Sequence, residues 1–192
     1  MRGNTVRRSI HIVLLTAGLL LVPATAAVSQ AYTYSIAGLV GVGGSLDETD
    51  AGFGKPAWQV TFTSDIAEKT YFAARLGGLH WSSGDNVAEV TSPSLYYVTL
   101  AGEYRETRAS FSGGFVVPAV YIGLGFYSLD GTDEDGESLS ESAPGLAVGL
   151  TGDMPLNSKR TLTLRLELAA HYAALDAAQL FGMVHLGLSY HF

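Results

Sequence analysis

Few residues in this chain have both the type and the setting to do chemistry. Arg75, Glu103, Arg165 and Glu167 are the only charged side chains within its regularly alternating apolar stretches. Two positive against two negative, they could pair, relay protons or line a path for ions. His171, His185 and His191 add imidazoles that could hold a metal or act as acid and base. Ser82 and Ser83 are hydroxyl nucleophile candidates. Asp130, Gly131, Asp133, Asp135 and Glu137 superficially resemble a calcium loop, but the ligand spacing with its closing glutamate is not met. The absence of cysteine excludes a disulfide framework, a thiolate zinc site and a thiol nucleophile.

The elements that position these residues have a period of two, not 3.6, and read as strands. Eight sets alternate: Tyr34 to Val42; Trp58, Val60 and Phe62; Phe72, Ala74 and Leu76; Tyr96 to Tyr104; Val120 to Phe126; Leu146 to Leu150; Leu162 to Tyr172; and Val184 to Phe192. Each has a bulky apolar stripe and an opposite face of Gly, Ala, Ser and Thr. All four strand charges lie on the small face. Segments near 45–56, 80–93, 130–143 and 173–179 read as long polar loops. Those near 64–69, 106–116 and 153–160 read as short turns, which places Arg105 and Asp153 in or beside turns.

Composition fits one folded domain: 192 residues, 47% hydrophobic, 15% charged and a net charge of -7. No basic excess exists for nucleic acid. At the N-terminus, Arg2, Arg7 and Arg8 precede an apolar run over 10–22, then Pro23 and the small residues Ala24 to Ala27. This order predicts a signal peptide over 1–31, cleaved after Ala26 or Ala31, ahead of a domain over 32–192. After loss of the three arginines the domain has a charge of -10.

The charges also decide what solvent each face meets. An arginine or lysine facing the bilayer midplane costs roughly 2–4 kcal/mol, so a stripe free of charge on every strand has a physical cause if lipid wets it. The predicted fold is therefore all-β: an eight-stranded antiparallel up-and-down transmembrane β-barrel. Trp58, Tyr96, Phe126 and Tyr172 end the stripes at the long-loop side, and Tyr34, Phe62, Phe72, Tyr104, Tyr190 and Phe192 at the short-turn side. They form two expected interfacial girdles. The long loops are acidic and hold Lys55 as their one cation, whereas the short turns mix both signs.

The ending Val184, Leu186, Leu188, Tyr190 and Phe192 resembles the C-terminal assembly signal of bacterial outer-membrane proteins. With 118–127 and 145–151, the chain resembles the small OmpA/OmpX-type barrel family. The resemblance implies outer-membrane residence, contact with outer-membrane lipid and lipopolysaccharide, and reading of the ending by the barrel-assembly machinery. Nothing follows Phe192, so a peptidoglycan-binding domain is not expected. Some barrels of this size are lipid A esterases with a His-x-Ser pair; here His171, Tyr172 and Ala173 put alanine at the nucleophile position.

The expectation is accordingly a monomeric, non-enzymatic protein without cofactor or metal, its role structural or exercised through its acidic loops. A narrow porin or transporter of small hydrophobic molecules is the alternative, and a lipid A-modifying enzyme the third reading. Arg75, Glu103, Arg165 and Glu167 are expected to pair inside the barrel as a plug, with an ion pathway as the alternative, left open by the many inward glycines and alanines. The histidines, spread over different heights, are expected to fill space and hydrogen-bond.

Overall fold

Alternation rich in β-branched and aromatic residues produces strands throughout. The computed structural model describes residues 34–47, 52–83, 85–87, 90–106, 116–132 and 136–192, and none of these is helical. The strands are β1 (Tyr34–Ser45), β2 (Lys55–Ala67), β3 (Thr70–His80), the two-residue β4 (Asn86–Val87), β5 (Val90–Arg105), β6 (Val117–Thr132), β7 (Ser138–Pro155), β8 (Leu162–Ala173) and β9 (Leu180–His191). Segment 1–31, where the signal peptide is expected, lies outside the described residues.

The eight long strands pair antiparallel in the order β3-β2-β1-β9-β8-β7-β6-β5, and β3 pairs with β5 to close the ring. First and last strands meet along a full register, from Ser35 opposite His191 to Ser45 opposite Phe181. Tyr34 and Phe192 add reciprocal backbone hydrogen bonds of 2.9 Å. Closure leaves no sheet edge at the level where all eight strands are present, the condition for a strand array surrounded by hydrocarbon.

Parity along each strand sorts the side chains. Val40 and Leu124 are each 69% exposed on the outer wall, in company with Ile36, Val60, Leu76, Leu100, Ile122, Val148, Leu166 and Leu188. Arg75, Glu103, Arg165 and Glu167 are buried on the opposite face. Among the aromatics, Tyr34, Phe62, Tyr190 and Phe192 form a run of contacts at the short-turn end, with centroid separations of 5.8 Å for Tyr34–Phe62, 6.1 Å for Tyr34–Phe192 and 6.2 Å for Tyr190–Phe192. At the other end Tyr96, Phe126 and Tyr172 are exposed and Trp58 is half-buried.

Two sequence expectations need correction. The segment 130–143 is mostly strand: β6 and β7 pair without a break from Val117 opposite Asp153 to Thr132 opposite Ser138. Paired hydroxyls sustain this extension, with Ser142 donating to Ser128 at 3.1 Å and Ser140 donating to Asp130. Alternation continues there too, but in polar residues, which a reading based on apolar stripes assigns to loop. Arg105 and Asp153 are likewise strand residues that continue the inward parity of Glu103 and Thr151.

Carboxylates lace the long-loop rim together. Asp47 accepts from the amides of Gln179 at 2.7 Å and Leu180 at 3.0 Å and from the Ser45 hydroxyl at 2.6 Å. Lys55 bridges to Asp85 at 2.7 Å, and Asp85 also accepts from the Ser82 amide at 2.8 Å. Partial burial pushes the Asp47 carboxyl up, but its hydrogen bonds outweigh this and hold it below the ordinary 3.8. The Lys55 contact and the Ser82 amide likewise depress Asp85.

A depressed folded value means that these ties are present above pH 3.8 and are lost as pH falls through the lower folded value. Hydrogen exchange at the Gln179 and Leu180 amides is therefore expected to stay slow from about pH 7 to about pH 4 and to accelerate, beyond the intrinsic rate, only below that range. In Asp47→Ala the same amides are expected to exchange several-fold faster already at neutral pH.

Candidate functional site

The inward face is the only enclosed polar environment in the described barrel, and it has three levels. Nearest the short turns, six ionised side chains form one connected cluster. Arg165 clasps Asp153 with Nε on Oδ1 and Nη2 on Oδ2, both 2.7 Å. Arg105 reaches Glu103 at 2.6 Å and stands 3.7 Å from Asp153. Arg75 pairs with Glu103 at 2.8 Å and lies 3.4 Å from Glu167, a distance that makes an ion pair without a well-aligned hydrogen bond.

The structure thus places the four sequence-predicted charges inside and adds Arg105 and Asp153, so the balance is three against three rather than two against two. Burying six charges is favourable only with such pairing, because each loses several kcal/mol of hydration that a partner must offset. Their common face could have been found by extending the parity of β5 to Arg105 and of β7 to Asp153, beyond the predicted strand ends.

The middle level is aromatic. Tyr121 donates to Glu167 at 2.9 Å, while the Arg75 guanidinium lies 3.7 Å from the centre of its ring. Gln59 donates to Glu167 at 3.0 Å and accepts from Tyr97 at 2.8 Å. Tyr127 shares a 2.9 Å hydrogen bond with His171 Nδ1, and the Tyr97 ring lies tilted with its centre 4.7 Å from that of His171. Tyr97 and Tyr121 lie across Gly77 and Gly149, directly opposite them in register, where any Cβ would collide with the ring. At these two positions glycine therefore beds a tyrosine and does not widen a channel.

Nearest the long loops the lumen is apolar. Leu79, Leu95, Leu129, Leu175 and Phe181 are fully buried, and Trp81 meets Phe181 edge-on at 6.3 Å. Leu175 comes from the loop between β8 and β9, which folds inward over the opening. The sequence predicts an inward face that is small and polar throughout; at this level it is bulky and apolar, and needs no hydrogen-bond partners. An eight-stranded barrel is just wide enough for such side chains to fill it.

His171 and His185 are fully buried, and His185 stands opposite Glu167 in register. His191 lies near the short-turn end, its Nε2 3.3 Å from Thr163 Oγ1. No group of three or more metal-ligating side chains gathers among the described residues. Glu141 accepts from the Asp176 amide and Asp130 accepts from Ser140, so two acidic residues of the 130–141 segment serve local structure.

Two serine–histidine contacts form among the described residues, neither with Ser82 or Ser83: Ser189 Oγ lies 3.5 Å from His191 Nε2 at the short-turn end, and a closer pair lies at the other end. On the outer wall at the long-loop end, His80 Nδ1 lies 3.1 Å from Ser94 Oγ. The other ring nitrogen, Nε2, receives the indole N–H of Trp58 at 3.3 Å. Indole is a donor only, so Nε2 is the acceptor, and a ring with one proton in this arrangement carries it on Nδ1, facing the serine. A serine nucleophile needs an unprotonated nitrogen at that place. In that tautomer Nδ1 cannot take the Ser94 proton.

The described residues thus form a closed eight-stranded antiparallel barrel with apolar outer stripes, aromatic ends and a filled interior, a fold shared with solved bacterial outer-membrane β-barrels. Solved structures of that class superpose on this chain: Neisserial surface protein A, with a TM-score of 0.62 at 13% identity over 85% of this chain and 98% of the other; a major outer membrane protein of Thermus thermophilus, 0.62 at 15% over 85% and 100%; and the attachment invasion locus protein Ail of Yersinia pestis, 0.54 at 14% over 84% and 97%. The agreement is one of fold. No family model matches the sequence, and no curated protein matches it.

Proposed function

We propose that this chain is a monomeric, non-enzymatic outer-membrane protein whose lumen is a structural plug and whose acidic long-loop end, outside the cell, carries a structural or surface-interaction role. The observation that carries this reading is the continuous filling of the interior: ion pairs, then tyrosines, then leucines, in sequence along the axis. With the interior occupied and the wall given to lipid, the long-loop end is the surface left for specificity. The asymmetry of loop charge supports outward placement of that end, with both chain ends in the periplasm.

Outer-membrane lipid and lipopolysaccharide are the proposed surroundings. The barrel-assembly machinery is proposed to read Val184, Leu186, Leu188, Tyr190 and Phe192. The wiring of His80 and Ser94 favours a non-enzymatic role over lipid A modification. In planar bilayers the purified protein is expected to give no resolved conductance steps, and lipid A from expressing cells is expected to keep its mass. Reproducible single-channel steps would overturn the closed lumen in favour of the narrow-pore reading.

A further inference from the structure

Beyond the level at which β8 ends, β7 has a neighbour on one side only. Its pairing with β6 continues to Ser138, whereas its pairing with β8 stops at Gly145 opposite Ala173. There the chain leaves the sheet: the Ala174 amide donates to the Pro144 carbonyl at 3.0 Å, and Leu175 turns into the lumen. The Pro144 carbonyl thus points to the β8 side. Because backbone groups alternate in direction along a strand, Ser142, Ser140 and Ser138 aim their N–H and C=O to that side too.

These backbone groups have no partner among the described residues, and all three side chains are exposed. Residues 138–142 are therefore an open sheet edge, held on the inward side by Leu139 against the buried core, the kind of template to which a further strand adds. Proline at 144, whose missing N–H would have pointed to the same side, fits an edge position.

Charge selects the occupant. The hairpin of β6 and β7 includes Asp130, Asp133, Glu134, Asp135, Glu137 and Glu141 in its sequence, and neither lysine nor arginine occurs between Arg108 and Lys159. Asp176 lies alongside, its amide on Glu141. A second copy of this edge would bring carboxylates against carboxylates, whereas a cationic strand would be drawn in. We propose that residues 138–142 of β7 bind an extended, lysine- or arginine-bearing segment of another protein by strand addition. This rests on the reading that the long-loop end faces out of the cell.

Proline scanning separates strand addition from simple charge attraction. The N–H groups of Ser140 and Ser142 point away from β6, so Ser140→Pro and Ser142→Pro each remove an edge donor and keep the backbone ladder to β6. Ser140→Ala and Ser142→Ala, which lose only the hydroxyl bonded to Asp130 or Ser128, are the matched references and are expected to bind like wild type. The probe is a fluorescein-labelled ten-residue peptide of alternating lysine and valine, with alternating lysine–proline and glutamate–valine peptides as controls. It is titrated by anisotropy onto the protein in zwitterionic nanodiscs.

Saturable binding of the lysine–valine peptide is expected, at least tenfold weaker to either proline variant, with little binding of either control. Heat-modifiable gel mobility is expected to be unchanged in both variants. Absence of saturable binding to the folded wild-type protein, or equal binding to wild type and to folded proline variants, would overturn the proposal, as would equal binding of the lysine–proline peptide. Orientation is read separately: Ser138→Cys, in a chain without other cysteines, is expected to react with an impermeant maleimide on intact cells. Labelling without peptide binding would overturn strand addition alone; absence of labelling would overturn the orientation itself.

Discussion

Replacing Arg165 by methionine is expected to lower the unfolding free energy by about 3–5 kcal/mol, the cost of leaving a buried charge without its partner. In the native barrel Asp153 receives two hydrogen bonds of 2.7 Å from Arg165, and its next cation, Arg105, is 3.7 Å away and already engaged with Glu103. The variant strands Asp153 in the lumen. A second substitution, Asp153→Leu, removes the stranded charge and leaves Arg75, Arg105, Glu103 and Glu167 balanced. The double variant is expected to recover most of the loss. Urea titration of the detergent- or liposome-folded protein, followed by heat-modifiable mobility, measures both. Equal stabilities of wild type and Arg165→Met would mean that the pair is not buried as a unit.

The outer wall gives the second large effect. Leu124, at mid-length in β6 between Leu100 and Leu146, is expected to cost about 2–4 kcal/mol when replaced by arginine in a lipid bilayer. The same residue placed at Ser138, beyond the closed ring, is expected to change stability by less than about 0.5 kcal/mol. The contrast isolates the solvent: a water-wetted wall would accept Leu124→Arg as readily as Ser138→Arg. Refolding into liposomes with a urea endpoint, at matched lipid composition, provides the comparison.

Much of this architecture was legible because lipid and water sort side chains by parity, and parity survives in sequence wherever one face is small and the other large. The stripe through Val120, Ile122 and Leu124 is such a case, as is the placement of Arg75 and Glu103 opposite it. What escaped detection obeys the same parity under less contrast. Around Leu95, Tyr96 and Tyr97 both faces are bulky, so the inward leucines that close the upper lumen leave no alternating signal. Between Ser138 and Ser142 both faces are largely polar, and the strand reads as a loop.

The beds of Gly77 and Gly149 escaped for a different reason. Their meaning lies in Tyr97 and Tyr121, which become their neighbours only once strand register is fixed. The same holds for His80 and Ser94, 14 residues apart in sequence and paired only through the β3–β5 register.

The joining of β1 to β9 has a consequence for biogenesis. β1 and its partner β9 lie far apart in sequence, so β1 keeps one margin bare until residues 180–191 are present. Every intermediate short of that point is a curled ribbon with two open margins and oily flanks, prone to stick to its kind. Closure thus couples strands far apart in sequence, and neither bare margin is covered until both β1 and β9 are in place.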